Sequence, residues 1–176
     1  VTDAGLSNEE FPWLSGQEIM IGEAPVRALR VNFVGELGWE LHHPLTNQNY
    51  IFDQLMAAGQ EFGIRPFGIR AMDSLRIEKS YKYWRGDIFT EFSAWESGLE
   101  RFVHLNKGEF IGREALVKQQ QQGVPRKFVT IEVDATDSDP WGNEPLFIGT
   151  AMVGRTTSGA YGFTIGKSLA VGYVET

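Results

Sequence analysis

From Lys127 onward the chain is written almost entirely in short β-branched runs: "KFVTIEV", "LFIGTAMVGRTTSG" and "SLAVGYV". Gly, Asp and Asn turns separate them. Val, Ile and Thr pack well on a pleated surface, and glycine-rich punctuation at this spacing leaves no room for long helices. This stretch predicts a small antiparallel β-barrel module. The texture changes between Gly123 and Lys127, so the boundary is drawn there: residues 1–123 as one part and 124–176 as a β part.

Residues before that boundary mix both kinds of signal, which makes the fold class α+β. Val1–Gly22 reads as polar and turn-rich, with "LSNEEFPW" as a single helical turn capped by Ser7 or Asn8 and stopped by Pro12. "VRALRVNFV" (Val26–Val34) reads as a strand, and "WELHH" (Trp39–His43) resumes it after Gly35 and Gly38. A two-residue loop between those glycines would pair Val34 with Trp39 and Phe33 with Glu40, placing Phe33 and Glu40 on one face. Glu-Leu is not a favoured two-residue turn, and a longer loop would shift the register. Ile51, Leu55, Ala58 and Phe62 follow helical spacing behind Thr46 as a candidate N-cap. Ile69–Trp84 is ambiguous: its first half suits a helix, and from Arg76 onward the alternation suits a strand. Gly112–Gly123 reads as a helix ending at a glycine.

Composition narrows the function classes. A net charge of −7 disfavours a nucleic-acid partner, which needs a basic face. The absence of cysteine removes disulfides, thiol catalysis and cysteine-ligated zinc. No apolar run approaches the length of a membrane span. His42 and His43 are adjacent and point to opposite faces of a strand, so they do not form a metal site. "DATDSDPWGNE" reads as a solvated turn, because Pro140 breaks a calcium loop. No serine elbow, phosphate loop or dinucleotide-binding glycine motif is present, and no residue is assigned as catalytic.

Glu40 is the candidate that asks for a ligand. A carboxylate flanked by aromatics suits a flat heterocycle with adjacent N–H donors, with Phe33, Trp39, Tyr81, Tyr83 and Trp84 as candidate walls. The alternative is an exposed carboxylate beside core aromatics. Arg70 and Arg76 could each hold an anionic tail through the guanidinium fork, or serve in a salt bridge.

Four phrases in order, "RALRVNFVGELGWELH", "AMDSLRIEKSYKYWRGDI", "GLERFVHLNKGEFIGREAL" and "GNEPLFIGTAMVGRTTSGAYGFTIGKSLAVGYV", resemble the aminomethyltransferase (glycine-cleavage T-protein) family. "WELH" and "LRIEK" point to the dehydrogenase-linked branch, the folate domain of dimethylglycine and sarcosine dehydrogenases. The resemblance implies tetrahydrofolate as cofactor and a one-carbon unit taken from a methylated amine, in a bacterial cytoplasm or a mitochondrial matrix. It implies that Glu40 holds the pterin and that Phe33 and Tyr81 line its pocket. Phe33 stands where the family often has tyrosine. Met72 replaces the family's arginine, which leaves open which residue handles the folate's polar end; Arg70 and Arg76 are the candidates. The family's catalytic aspartate and the FAD domain of the dehydrogenases precede the matching region, and its last strand follows it. The chain is therefore expected to be a partial domain, inactive alone, with open β edges inviting self-association. The rivals are a non-catalytic folate-binding regulatory protein and a folate-dependent demethylase of a sulfonium compound.

Overall fold

The computed structural model describes residues 1–176. The chain divides into two compact units, Val1–Met72 and Asp73–Thr176.

The first unit is built on a three-stranded antiparallel sheet, β1 (Gly16–Ile21), β2 (Ala24–Leu29) and β3 (Glu40–His42), in that order. A tight turn joins β1 to β2, and Gly22 supplies the positive φ of 56° that this turn requires. Alternation then sorts the side chains. Ile19 and Ile21 of β1 and Ala24, Val26 and Ala28 of β2 face inward, while Glu18, Met20, Pro25 and Arg27 face outward. Helix α1 (Gln48–Gly59) lies against the inner face, where Ile51 and Leu55 join Ile21, Val26 and Leu41. Each fully buried aliphatic side chain there contributes about 1.5–3 kcal/mol.

Several expectations are corrected in this unit. β1 lies inside the stretch expected to be turns. β2 ends at Leu29 and does not continue to Val34. Glu40 pairs with Leu29, not with Phe33. The cause of the last two is Asn32. Its Oδ1 accepts the backbone N–H groups of Val34, Gly35 and Glu36, which bends the chain into a loop and takes Phe33 out of any strand. Thr46 also does not cap α1: a 3₁₀ turn at Leu45–Asn47 leads in, with no side-chain cap. Ala58 and Phe62, expected on the helix's inner face, are exposed.

The second unit carries a four-stranded antiparallel sheet: β4 (Arg126–Val133), β5 (Pro145–Ile148), β6 (Ala151–Gly162) and β7 (Lys167–Glu175). Their order is β4-β7-β6-β5, so the last strand is central. Ser168–Tyr173 of β7 are all buried. Gly172 is required there, since a Cβ would lie 2.3 Å from the Arg155 carbonyl oxygen. Helix α2 (Ile69–Glu78) presents Ile77, fully buried, to Leu169 and Val171. The strand expected from Arg76 onward does not form. The helix runs on to Glu78, and Ser80 then turns with φ 56°. Helix α3 (Arg113–Gln122) ends at Gly123 as expected. No helix is long and apolar enough to cross a membrane.

Ahead of β5, the Glu144 carboxylate accepts the N–H groups of Trp141 and Gly142 and the Thr156 hydroxyl. Burial is the largest single influence on this carboxyl and acts upward. The Thr156, Trp141 and Gly142 hydrogen bonds together outweigh it and hold the group below its ordinary 4.5. A carboxyl lowered by folding adds stability above its unfolded pKa and loses it as pH falls through the folded one. Glu144→Gln is therefore expected to be less stable than the native chain at pH 7 and to converge with it as acidification takes the pH down through the lowered pKa. Urea midpoints at neutral and acid pH check this.

Candidate functional site

The sequence candidates fall in both units. Phe33, Glu40 and Arg70 belong to the first, and Tyr81 and Arg76 to the second. Each unit's residues are described by themselves.

In the first unit Glu40 opens β3 on the outer face of the sheet. Its side chain is 52% exposed, and one oxygen, Oε2, lies 3.3 Å from His42 Nε2. Strand periodicity makes this contact, since residues two apart share a face. Across the sheet, Arg27 stands opposite His42, and its Nε donates to Glu18 at 2.7 Å. The outer face thus carries Glu18, Arg27, His42 and Glu40 in one polar stripe. Phe33 is half-buried in the loop organised by Asn32. Arg70 is exposed in the first turn of α2.

Behind Glu40 the loop is anchored firmly. Trp39 meets the edge of fully buried Phe11, with centroids 6.1 Å apart at 65°. The Arg30 guanidinium lies 5.7 Å from the Trp39 ring and donates to the Phe11 carbonyl at 2.5 Å and to the Asn8 side chain. The Trp39 indole nitrogen is the one buried side-chain nitrogen or oxygen without a hydrogen-bond partner.

In the second unit Arg76 is 3% exposed and Asp87 is fully buried, and they meet at 2.5 Å. Arg76 also donates to the Tyr81 carbonyl, Ser158 Oγ and Asp73. Asp87 further accepts the Tyr83 N–H and the hydroxyls of Thr157 and Ser158. A bulge in β6 makes this convergence possible: the register skips from Thr156 to Ser158 and sends both Thr157 and Ser158 to Asp87. Arg76 therefore works inside the core of its unit. It also holds the backbone of Tyr81, whose ring is partly exposed. Tyr173 donates to the Asp87 carbonyl, and burial pushes its phenol up, opposed by the Ser97 hydroxyl. Lys82, half-buried, sits 4.8 Å over the Phe128 ring, and burial lowers its pKa, followed by the charge of Arg101.

Two participants escaped the sequence reading. His42 was weighed only as a metal ligand, although its spacing of two from Glu40 in a strand was the signal for their contact. Asp87 lies in the phrase "AMDSLRIEKSYKYWRGDI" but was not singled out, because its hydroxyl partners Thr157 and Ser158 lie some 70 residues further along the chain.

The GCVT N-terminal domain family matches residues 1–107, and the glycine cleavage T-protein C-terminal barrel domain matches residues 126–176. Mitochondrial dimethylglycine dehydrogenase of Mus musculus is 41% identical over 175 residues, 99% of this chain and 20% of that protein. Mitochondrial sarcosine dehydrogenase of Mus musculus is 39% identical over 99% of this chain and 19% of its own length. The chain thus spans about a fifth of these curated relatives. The crystal structure of the glycine cleavage system aminomethyltransferase T from Bartonella henselae superposes with a TM-score of 0.84 at 24% identity, over 98% of this chain and 47% of that one. The two family matches occur in chain order on the two kinds of texture described above, and the shared fold covers nearly every residue between and around them. On those grounds the chain belongs to the glycine cleavage T-protein family.

Proposed function

We propose that the chain supplies the tetrahydrofolate-binding part of an aminomethyltransferase-type domain, serving one-carbon transfer from an N-methylated amine such as dimethylglycine or sarcosine. The observation that carries this reading is the Glu40 carboxylate. It is accessible on a strand, its Oε2 touches only an imidazole, and its Oε1 is open to a donor. A pterin presents adjacent N–H groups to which both oxygens of a carboxylate fit. Phe33, in the adjoining loop, offers an aromatic face for the ring. Tyr81 and Arg70 are the further folate-contacting candidates. Arg76 takes part by holding the Tyr81 backbone. The one-carbon carrier is the folate product 5,10-methylenetetrahydrofolate. Oxidation of the amine, which calls for FAD, is assigned to residues other than these, and a mitochondrial matrix or bacterial cytoplasm is the proposed setting. The same reading places the domain boundary at 123/124. The β4 and β5 edges are proposed as self-association surfaces, since an edge strand offers backbone groups to a further strand, although Glu96 already takes the Phe128 N–H of β4.

Calorimetric titration of tetrahydrofolate tests the reading. Glu40→Gln keeps the shape and turns one acceptor into a donor facing pterin N–H groups. The expected loss is about 1–3 kcal/mol, roughly five- to 150-fold in Kd. Unchanged affinity would return Glu40 to the status of a surface carboxylate.

A further inference from the structure

We propose that a cavity on the second sheet binds a small zwitterion of the α-amino acid type, with its carboxylate toward Arg155 and Arg126 and its ammonium toward Glu91 and Glu175. The cavity holds about 300 Å³, the lower end of the range for small-molecule sites. It lies wholly within the second unit, and the proposal stands apart from the pterin reading of Glu40.

Strand register brings the groups together. Arg126 of β4 stands opposite Glu175 of β7, and Arg155 of β6 stands opposite Tyr173 of β7. Directly opposed residues share a face, and Tyr173 and Glu175 are two apart, so all four rise from one face of the sheet. Glu91 and Phe92 complete the lining from the segment ahead of the sheet. The Phe92 ring lies flat on Tyr173, with centroids 3.5 Å apart at 12°. Tyr173 is buried, and its hydroxyl meets Ser97 and the Asp87 carbonyl, so the aromatic floor is fixed. The Arg126 guanidinium sits 5.1 Å over the Phe92 ring, with its Nε 3.7 Å from Glu96 Oε1. It is therefore placed before a ligand arrives, which lowers the ordering cost of binding.

The charges around this cavity are not spent on one another. Arg155, Glu91 and Glu175 are exposed, and their side chains make no hydrogen bond or ion pair. Arg126 meets a carboxylate only through Nε, which leaves its terminal nitrogens to a ligand. A purely anionic ligand would satisfy the guanidiniums and confront two carboxylates, and a purely cationic one would meet the reverse. A ligand carrying both signs suits both pairs. A guanidinium fork takes a carboxylate through parallel N–H···O bonds, and an ammonium donates its N–H groups to carboxylate oxygens.

The test is titration of the full chain with glycine, acetate and methylammonium in turn, at pH 7 and low salt, followed by two-dimensional amide spectra. Glycine carries both charges, and each of the other probes carries one. Glycine is expected to bind with a Kd on the order of 1 mM and to move the amides of Gly154, Arg155 and Glu175. Acetate and methylammonium are each expected to bind at least about tenfold more weakly. Arg155→Gln should weaken glycine and acetate alike, by about fivefold. Glu91→Gln/Glu175→Gln should weaken glycine by a similar factor and leave acetate unchanged or tighter. The substituted side chains are exposed, so urea midpoints should stay at the native value. Glu40→Gln should bind glycine like the native chain, which separates this site from the pterin reading. Acetate binding as tightly as glycine would make the cavity an anion site, and methylammonium doing so would make it a cation site; either overturns the proposal. Glycine affinity unchanged in both cavity variants would place glycine elsewhere and overturn it too. Unmoved amides with all three probes would reduce the cavity to a solvent-filled cleft.

Discussion

Asp87→Ala is expected to remove about 3–5 kcal/mol of stability, a large fraction of the roughly 5–15 kcal/mol that holds a domain of ordinary stability folded. The reason is what stays behind. Arg76, at 3% exposure, would keep its charge in the interior with its closest partner gone. The hydroxyls of Thr157 and Ser158 and the N–H of Tyr83 would lose an acceptor at the same moment. Breaking one side of such a pair costs more than removing both. The double variant Arg76→Met/Asp87→Leu should therefore recover part of the loss. It should not recover all of it, because the orphaned hydroxyls remain. Urea unfolding at pH 7 measures both. A loss under about 1 kcal/mol for Asp87→Ala would mean that water reaches the pair.

That cluster also shows what a single sequence conceals. "TTSG" is legible as a family phrase, and its place in a strand is legible from its β-branched residues. The bulge at Thr157 is not, because it depends on the register against β7. The second sheet as a whole was readable: its strands are rich in Val, Ile and Thr, and its turns in Gly, Asp and Asn. Helix α3 was readable from its flanking glycines. β1 was missed because "GQEIMI" looks polar until Ile19 and Ile21 are seen to alternate inward. The segment after Arg76 carried two compatible patterns. Burial of Ile77 against Leu169 and Val171 decides for the helix, a tertiary choice that local sequence does not contain. At the candidate site, Glu40 was legible as a residue but not its neighbours. Its register partner depends on one side chain, Asn32, gathering three backbone N–H groups into a loop. A turn built by a side chain leaves no glycine or proline signal of its own at the place where the strand stops.

Phe11→Ala is the matching expectation for the first unit, and it links stability to the candidate site. Phe11 is fully buried, and its ring closes against the edge of Trp39, the residue before Glu40. Removing a buried phenyl ring costs about 3–5 kcal/mol through lost transfer energy and the cavity left behind. The Phe11 carbonyl would still be present to receive Arg30, so the turn at Ser7–Phe11 keeps one tether. What it loses is the wall that fixes Trp39. The Asn32–Trp39 loop would then be free to shift, and the start of β3 with it. Folate affinity is accordingly expected to fall in Phe11→Ala even at temperatures where the chain stays folded. Phe11→Leu, which fills most of the volume, should retain more of both stability and binding. Urea unfolding followed by tryptophan fluorescence gives the first quantity and calorimetric titration the second. If Phe11→Ala lowers stability as expected but binds folate with native affinity, Glu40 is positioned by its strand pairing with Leu29 alone, and the aromatic support behind it serves only the fold.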